Sequence, residues 1–345
     1  MVSIEIIKRF IGQIKEKHKE ISEPTIEKDF YLTLLLNEIS AYIDKNNNSP
    51  FSKLVFKGGT LLTRTHLNYH RISKDLDFTY LENKKLNKLS SKQRKKAITV
   101  FTGELVEELN KICKKFNLDF STDKKDKKYC KVMDRKNVYI FKLYYQAVYG
   151  SEESIKFEVN FNDELIYPVL FEDIKHLFDS ELIKDLEFIE SIKINIRKNI
   201  LCYDLREIAG EKIRAILTRP AIKERDLLDL FLISKSIDLE KSLDKKKIVK
   251  KIISSKSFIR KLPKKIKENI EMLTKNRDSI IEERSKITLI EIKENEYSDF
   301  EKKIIPFLVE IEEQASAKFG QSFIPARQER PSENLHRKSI KIKRS

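Results

Sequence analysis

Two stretches of the chain, far apart in sequence, carry residues whose types and spacing could do chemistry together. The first runs Lys57-Gly58-Gly59-Thr60-Leu61-Leu62 and then Arg71-Ile72-Ser73-Lys74-Asp75-Leu76-Asp77-Phe78. A double glycine lets the backbone come close to a ligand and adopt positive φ. Where such a turn opens a helix, its free N–H groups can receive a phosphate. Asp75 and Asp77 alternate, so on a strand both carboxylates reach one side while Leu76 and Phe78 face the core. Two carboxylates there can hold Mg2+ or Mn2+, hard ions that take oxygen ligands and leave positions for phosphate and water. The second stretch runs Glu207-Ile208-Ala209-Gly210-Glu211-Lys212-Ile213-Arg214-Ala215 and then Arg225-Asp226-Leu227-Leu228-Asp229-Leu230. It adds a lysine and an arginine–aspartate pair on helices. Together the two stretches point to nucleotidyl transfer.

The elements that must position these residues can be read from periodicity. Apolar residues recur at helical spacing over 3–19 and 24–44, where Ile26, Phe30, Leu32, Leu35 and Leu36 form one buried stripe. Leu54-Val55-Phe56 is a short buried strand that stops at the glycines, and a helix that starts at the glycines follows over Thr60 to Asn68. Leu76 to Tyr80 is the next strand, and Ser91 to Phe116 a long amphipathic helix. Val138 to Val148 alternates and is rich in Tyr, Phe and Val, as a strand is. Ile155 to Phe161 alternates strictly, with Lys156, Glu158 and Asn160 on its polar face. Glu158 is therefore a third strand-borne acid, and three carboxylates can hold two metals, which would stabilise the attacking and leaving oxygens of an in-line displacement.

After residue 200 helical periodicity takes over, at 205–218, 224–236, 245–255, 262–273 and 297–319. The expected architecture is α+β: a small mixed sheet with N-terminal helices over 1–200, a helical domain over 201–320, and a basic, flexible tail over 321–345. No internal repeat is visible.

Composition bounds the partners. The chain has 345 residues, 40% of them hydrophobic, enough for a sizeable core; 7 Gly and 8 Pro disfavour disorder and many-turned all-β folds. A net charge of +16 favours phosphate-rich partners, nucleic acid above all, although lysine also solvates helix faces. Between Lys241 and Lys267 twelve Lys or Arg face one acid, and the tail has seven against two. Either segment could follow an RNA backbone or dock an acidic protein. Cys113, Cys130 and Cys202 are scattered, which points to a reducing compartment. The charged N-terminus lacks a signal-peptide core and no segment approaches the ~20 apolar residues of a membrane span. Cytoplasm is the expected location.

Other chemistries are poorly served. His66 and His70 have the i,i+4 spacing of a zinc pair, but the adjacent Glu of a zincin is absent and the helix should end before His70. Ser73 has no evident His partner for a hydrolase triad. Bland readings also stand beside the main one: the glycines as a tight turn, Lys212 as a solvated helix lysine, Asp226 and Asp229 as a charged interface rim.

Gly58-Gly59-Thr60 followed by Arg71-x-Ser73-x-Asp75-Leu76-Asp77-Phe78 resembles the signature of the AbiEii/AbiGii nucleotidyltransferase toxins, the MenT-like branch of the polymerase-β-like superfamily. Ile26-Glu27-Lys28-Asp29-Phe30 is similar to the family's N-terminal motif, and the Lys212 and Arg225-Asp226-x-x-Asp229 segments to its two downstream motifs. The resemblance spans residues 24–235, with a longer spacing from Gly59 to Asp75 than in compact superfamily members.

It implies that Lys57, Gly58, Gly59, Thr60, Arg71 and Ser73 hold an NTP triphosphate and that Asp75 and Asp77 bind metal. Lys212 would meet phosphate, Asp226 would orient a hydroxyl or the base, and Arg225 would touch phosphate or acceptor. It further implies transfer of a nucleoside monophosphate to RNA, at a tRNA 3′ end, and a cognate antitoxin. Nucleotidylation of a protein hydroxyl, and an NTP- or RNA-binding module without catalysis, are the alternatives.

Overall fold

A computed structural model describes residues 3–46, 48–177, 199–253, 262–275 and 288–322. The flexible tail expected over 321–345 therefore lies almost wholly outside the described residues; 321 and 322 belong to the last helix.

Two helices come first, α1 (Ile4–Lys17) and α2 (Glu23–Lys45). Ser22 and Pro24 start α2, where a missing N–H costs nothing. From Ile26 to Ser40 almost every residue of α2 is buried, so it is a core helix with two sides covered. Its Asp29 forms an ion pair with Arg64 at 2.6 Å, with both side chains 1% exposed. Its Glu27 accepts the backbone N–H of Val148 at 3.0 Å. These two acids of the N-terminal motif thus anchor α2 to the elements around the sheet.

Among the described residues the strands form one mixed seven-stranded sheet in the order β3-β4-β5-β2-β1-β7-β6. They are β1 (Leu54–Lys57), β2 (Asp75–Tyr80), β3 (Cys130–Met133), β4 (Val138–Gln146), β5 (Glu152–Asn160), β6 (Val169–Asp173) and β7 (Asn199–Tyr203). β2 runs parallel to β5, and β1 parallel to β7; every other pair is antiparallel. Leu54 to Lys57 are all buried, as a central strand requires.

Between β1 and β2 the chain makes a short helix α3 (Gly58–Leu61) that widens into a π turn over Leu62–His66. The helix therefore begins at the glycines, on the first of them. Left-handed Asn68 and Tyr69 end it, with φ of 53° and 54°. After the turn α4 (Asn83–Leu86), α5 (Ser91–Lys115) starts with a capping box between Ser90 and Gln93. It packs Phe101 on Tyr80 and Phe161, on the face of the sheet that also carries Leu76 and Phe78. The opposite face is left for the polar residues of β2 and β5.

The helices after β7 are α6 (Leu205–Thr218), α7 (Glu224–Ser234), α8 (Leu239–Ser242), α9 (Lys245–Ile253), α10 (Leu262–Lys275) and α11 (Glu294–Ser322). β7 spans the residue-200 position and is paired on both sides within the sheet. Strands β3, β6 and β7 were not foreseen: each has only 4 or 5 residues, too few for alternation to register. No helix among the described residues is long and apolar enough to cross a membrane.

Candidate active site

The two motif stretches meet in one cleft of about 630 Å³. β1 delivers Lys57 and the glycines, β2 delivers Asp75 and Asp77, β5 delivers Lys156 and Glu158, and α6 and α7 deliver Glu211, Lys212, Arg214, Arg225 and Asp226. Arg71 and Ser73 line it from the loop before β2.

Register explains the carboxylates. Asp77 stands directly opposite Glu158 in the parallel β2–β5 pair, and Asp75 opposite Lys156. Residues i and i+2 share a face, so all four side chains project together. Lys156 Nζ lies 2.7 Å from Glu158 and 3.7 Å from Asp77. Burial and the neighbouring Glu158 push Asp77 up to about 6, against the pull of Lys156 and Lys57. Burial opposes the Lys156 charge, but Asp77 and Glu158 outweigh it and hold the ammonium above its ordinary range.

The glycines are required by close approach. Gly58 has φ of 84°, and a Cβ there would stand 2.7 Å from Asp77 Oδ2. A Cβ on Gly59 would stand 2.6 Å from Arg71 Nη2 and 3.0 Å from Ser73 Oγ. Thr60 is buried: its hydroxyl donates to the Asp75 carbonyl and hydrogen-bonds the Ser73 hydroxyl, fastening the turn to β2. It does not line the cleft, unlike the other residues expected to hold triphosphate.

Two ionic clusters fix the cationic side chains. In the first, Asp229 accepts from Arg71 Nε at 2.8 Å and Nη2 at 2.9 Å, from Lys212 at 2.5 Å, and meets His70 Nε2 at 3.0 Å. Burial alone would raise the Asp229 carboxyl, but Lys212 and Arg71 hold it well below the usual range. Lys212 also donates to Asp226 at 2.9 Å, and Asp226 takes Arg219 as well. Asp226 and Asp229 are thus buried ion-pair acceptors, and Lys212 is buried rather than solvated. Arg225 is exposed at the mouth.

The second cluster was not foreseen. Lys57 donates to Asp163, Arg214 lies 3.9 Å from Asp163 and pairs with Glu211, and Lys251 joins Glu211 at 2.6 Å and Glu207. Burial works against the Lys57 charge, yet Asp163 and Glu211 keep it firmly protonated. Lys251 belonged by sequence to the basic run expected on the surface; it is 5% exposed and holds α9 against α6. Asp163 carries no sequence signal beyond its position just past β5. Lys156 does carry one, on the same polar strand face as Glu158.

A divalent cation is the group such a donor set serves. Among the described residues no three acidic, His or Cys side chains already close on one ion-sized point. Asp75 and Asp77 nevertheless fit a hard ion: they are oxygen donors on one face, with a glycine cradle against Asp77 and surplus negative charge beside it.

A glycine turn, strand-borne acids and buried cations thus share one cleft. A family model, nucleotidyl transferase AbiEii toxin of type IV toxin–antitoxin systems, matches residues 45–323, and the chain belongs to that family. Among solved structures the chain is similar to MenT4, a nucleotidyltransferase toxin from Mycobacterium tuberculosis H37Rv. The identity is 14% and the TM-score 0.49, over 92% of this chain and 94% of that one. No curated protein matches the sequence.

Proposed function

We propose that the cleft transfers a nucleoside monophosphate from an NTP to an RNA acceptor, the 3′ end of tRNA, with release of pyrophosphate and with Mg2+ or Mn2+ as cofactor. The observation that carries this reading is the approach of the Gly58 turn to Asp77, which sets a phosphate-binding backbone beside the acids. When bound, the divalent cation would neutralise triphosphate oxygens as the bond to the leaving pyrophosphate breaks. Asp75 and Asp77 would hold it, with Glu158 beside Asp77.

The chain's own residues do the rest. The glycine turn offers backbone N–H groups to the triphosphate. Lys57 and Lys212, fixed by their buried partners, present ammonium charge without having to reorganise. Arg71 braces the turn, and exposed Arg225 meets phosphate or acceptor at the mouth. Asp226 accepts a hydrogen bond from Lys212 and orients it toward the nucleotide. The net charge of +16 suits an RNA acceptor. Transfer in the cytoplasm, held in check by an antitoxin, completes the reading. Purified protein incubated with each labelled NTP, total RNA and Mg2+ or Mn2+ tests it. Label in tRNA supports the proposal, label in protein moves the acceptor to a protein hydroxyl, and no label with either metal removes the catalytic reading.

A further inference from the structure

The two faces of the β3–β4–β5 half of the sheet differ. On β4, Tyr139, Phe141, Leu143 and Tyr145 are buried, and Tyr145 packs on Tyr31 of α2. On the other face Val138 and Ile140 are half-buried and Lys142 is exposed. Among the described residues, neither Val138 nor Ile140 packs against the core.

That open face continues the floor of the cleft. Asp77 pairs with Glu158, Glu158 with Ile140, and Ile140 with Lys131 at the sheet edge. One step along, Asp75 pairs with Lys156 and Lys156 with Lys142. One step the other way, Asn160 pairs with Val138 and Val138 with Met133. Directly paired residues share a face, so these rows lie side by side. Three strand spacings of about 4.8 Å carry them roughly 14 Å from the acids to the edge.

Charge and strain mark the outer end. The β3–β4 turn holds Asp134, Arg135 and Lys136 at φ of 45°, 53° and 73°, a costly run for non-glycine residues in an exposed turn. Arg135 and Lys136 are exposed there. Lys131, Arg135, Lys136 and Lys142 have no ion-pair partner among the described residues. Most described lysines of the lysine-rich helices after residue 240 are paired instead, Lys246, Lys267 and Lys275 excepted. Lys245 pairs with Glu310, Lys250 with Glu164, and Lys264 and Lys265 with Glu268. Arg260 and Lys261 lie outside the described residues.

We infer that the open face of β3–β4–β5 is the bed along which a single-stranded RNA segment reaches the cleft. This rests on the RNA-acceptor reading above. Lys131, Lys142, Arg135 and Lys136 meet phosphates, while Val138, Ile140 and Met133 supply an apolar surface for bases. A polyanionic strand is favoured over an acidic protein because the rows end at the acids where an acceptor hydroxyl must arrive.

The test is the double variant Lys131→Glu/Lys142→Glu, compared with Lys131→Arg/Lys142→Arg and with Lys245→Glu/Lys246→Glu. Fluorescent total tRNA and a labelled single-stranded oligoribonucleotide serve as probes over a salt series. Melting curves and NTP binding control for folding. The inference expects the first variant to lose about tenfold or more in RNA affinity, with a salt slope shallower by up to about two units, one per contact removed. The arginine variant should keep wild-type binding. Unchanged affinity and slope in the first variant, or an equal loss in the Lys245/Lys246 variant, would overturn the inference while leaving the RNA-acceptor reading intact. Wild-type protein that binds neither RNA would overturn both.

Discussion

Arg71 and Asp229, 158 residues apart in sequence, form a two-pronged ion pair with Nε and Nη2 on the two carboxylate oxygens. The same carboxylate receives Lys212. One buried aspartate thereby fixes the arginine that lies against Gly59 and a lysine that lines the cleft. Asp229→Asn would leave two buried cations under-neutralised, at a cost of about 3–5 kcal/mol. The variant should melt markedly lower and lose NTP binding with transfer. A wild-type melting curve would show that the pair is dispensable. The carboxyl is held below its ordinary range, so its stabilisation is present above that range and is lost as pH falls.

Gly58→Ala should reduce transfer about a hundredfold or more, because its Cβ would meet Asp77 Oδ2 and φ of 84° disfavours any side chain. Gly12→Ala is the control. A Cβ there meets nothing within 4 Å, and helix α1 should gain about 0.5–1 kcal/mol. Steady-state rates and melting curves on both variants settle the contrast. Equal activity in the two would mean that the turn does not approach the nucleotide.

Asp75→Asn and Asp77→Asn should each cost roughly a thousandfold in transfer with the fold preserved. Asp77 adds a stability signature. Its folded pKa is raised from 3.8 to about 6, so its contribution to stability is fullest below 3.8 and is lost as pH rises through about 6. Without metal, Asp77→Asn should therefore melt above wild type at pH 8 and approach it at pH 4. Identical curves at both pH values would argue against a crowded carboxylate.

Lys251→Met should destabilise by about 3–5 kcal/mol, since it strips the cation from Glu207 and Glu211. Lys246→Met, on the exposed side of the same helix, should stay within about 0.5 kcal/mol. Chemical denaturation separates them, and similar small effects would return Lys251 to the solvated surface.

Lys212→Ala should weaken NTP binding more than RNA binding, because Asp229 ties its ammonium to Arg71, the side chain that lies against Gly59. Equal loss of both in parallel titrations would place Lys212 on the acceptor path.

Much of this was legible in the residues themselves. Alternation in Asp75-x-Asp77 and in Ile155 to Phe161 sends polar side chains to one face whatever the rest of the chain does, so the acids and Glu158 could be read directly. Helical periodicity likewise located α2, α5 and α6. Tertiary structure alone decided what those side chains meet. The parallel β2–β5 register set Glu158 beside Asp77, with Lys156 within reach of both acids. Packing of α7 on the segment before β2 brought Asp229 to His70 and Arg71, and packing of α9 on α6 drew Lys251 out of solvent. Short strands without a period, such as β3 and β7, also waited on their neighbours. Sequence period is a property of one segment and fixes direction; ion pairing and burial depend on distance between segments, which only the folded chain sets.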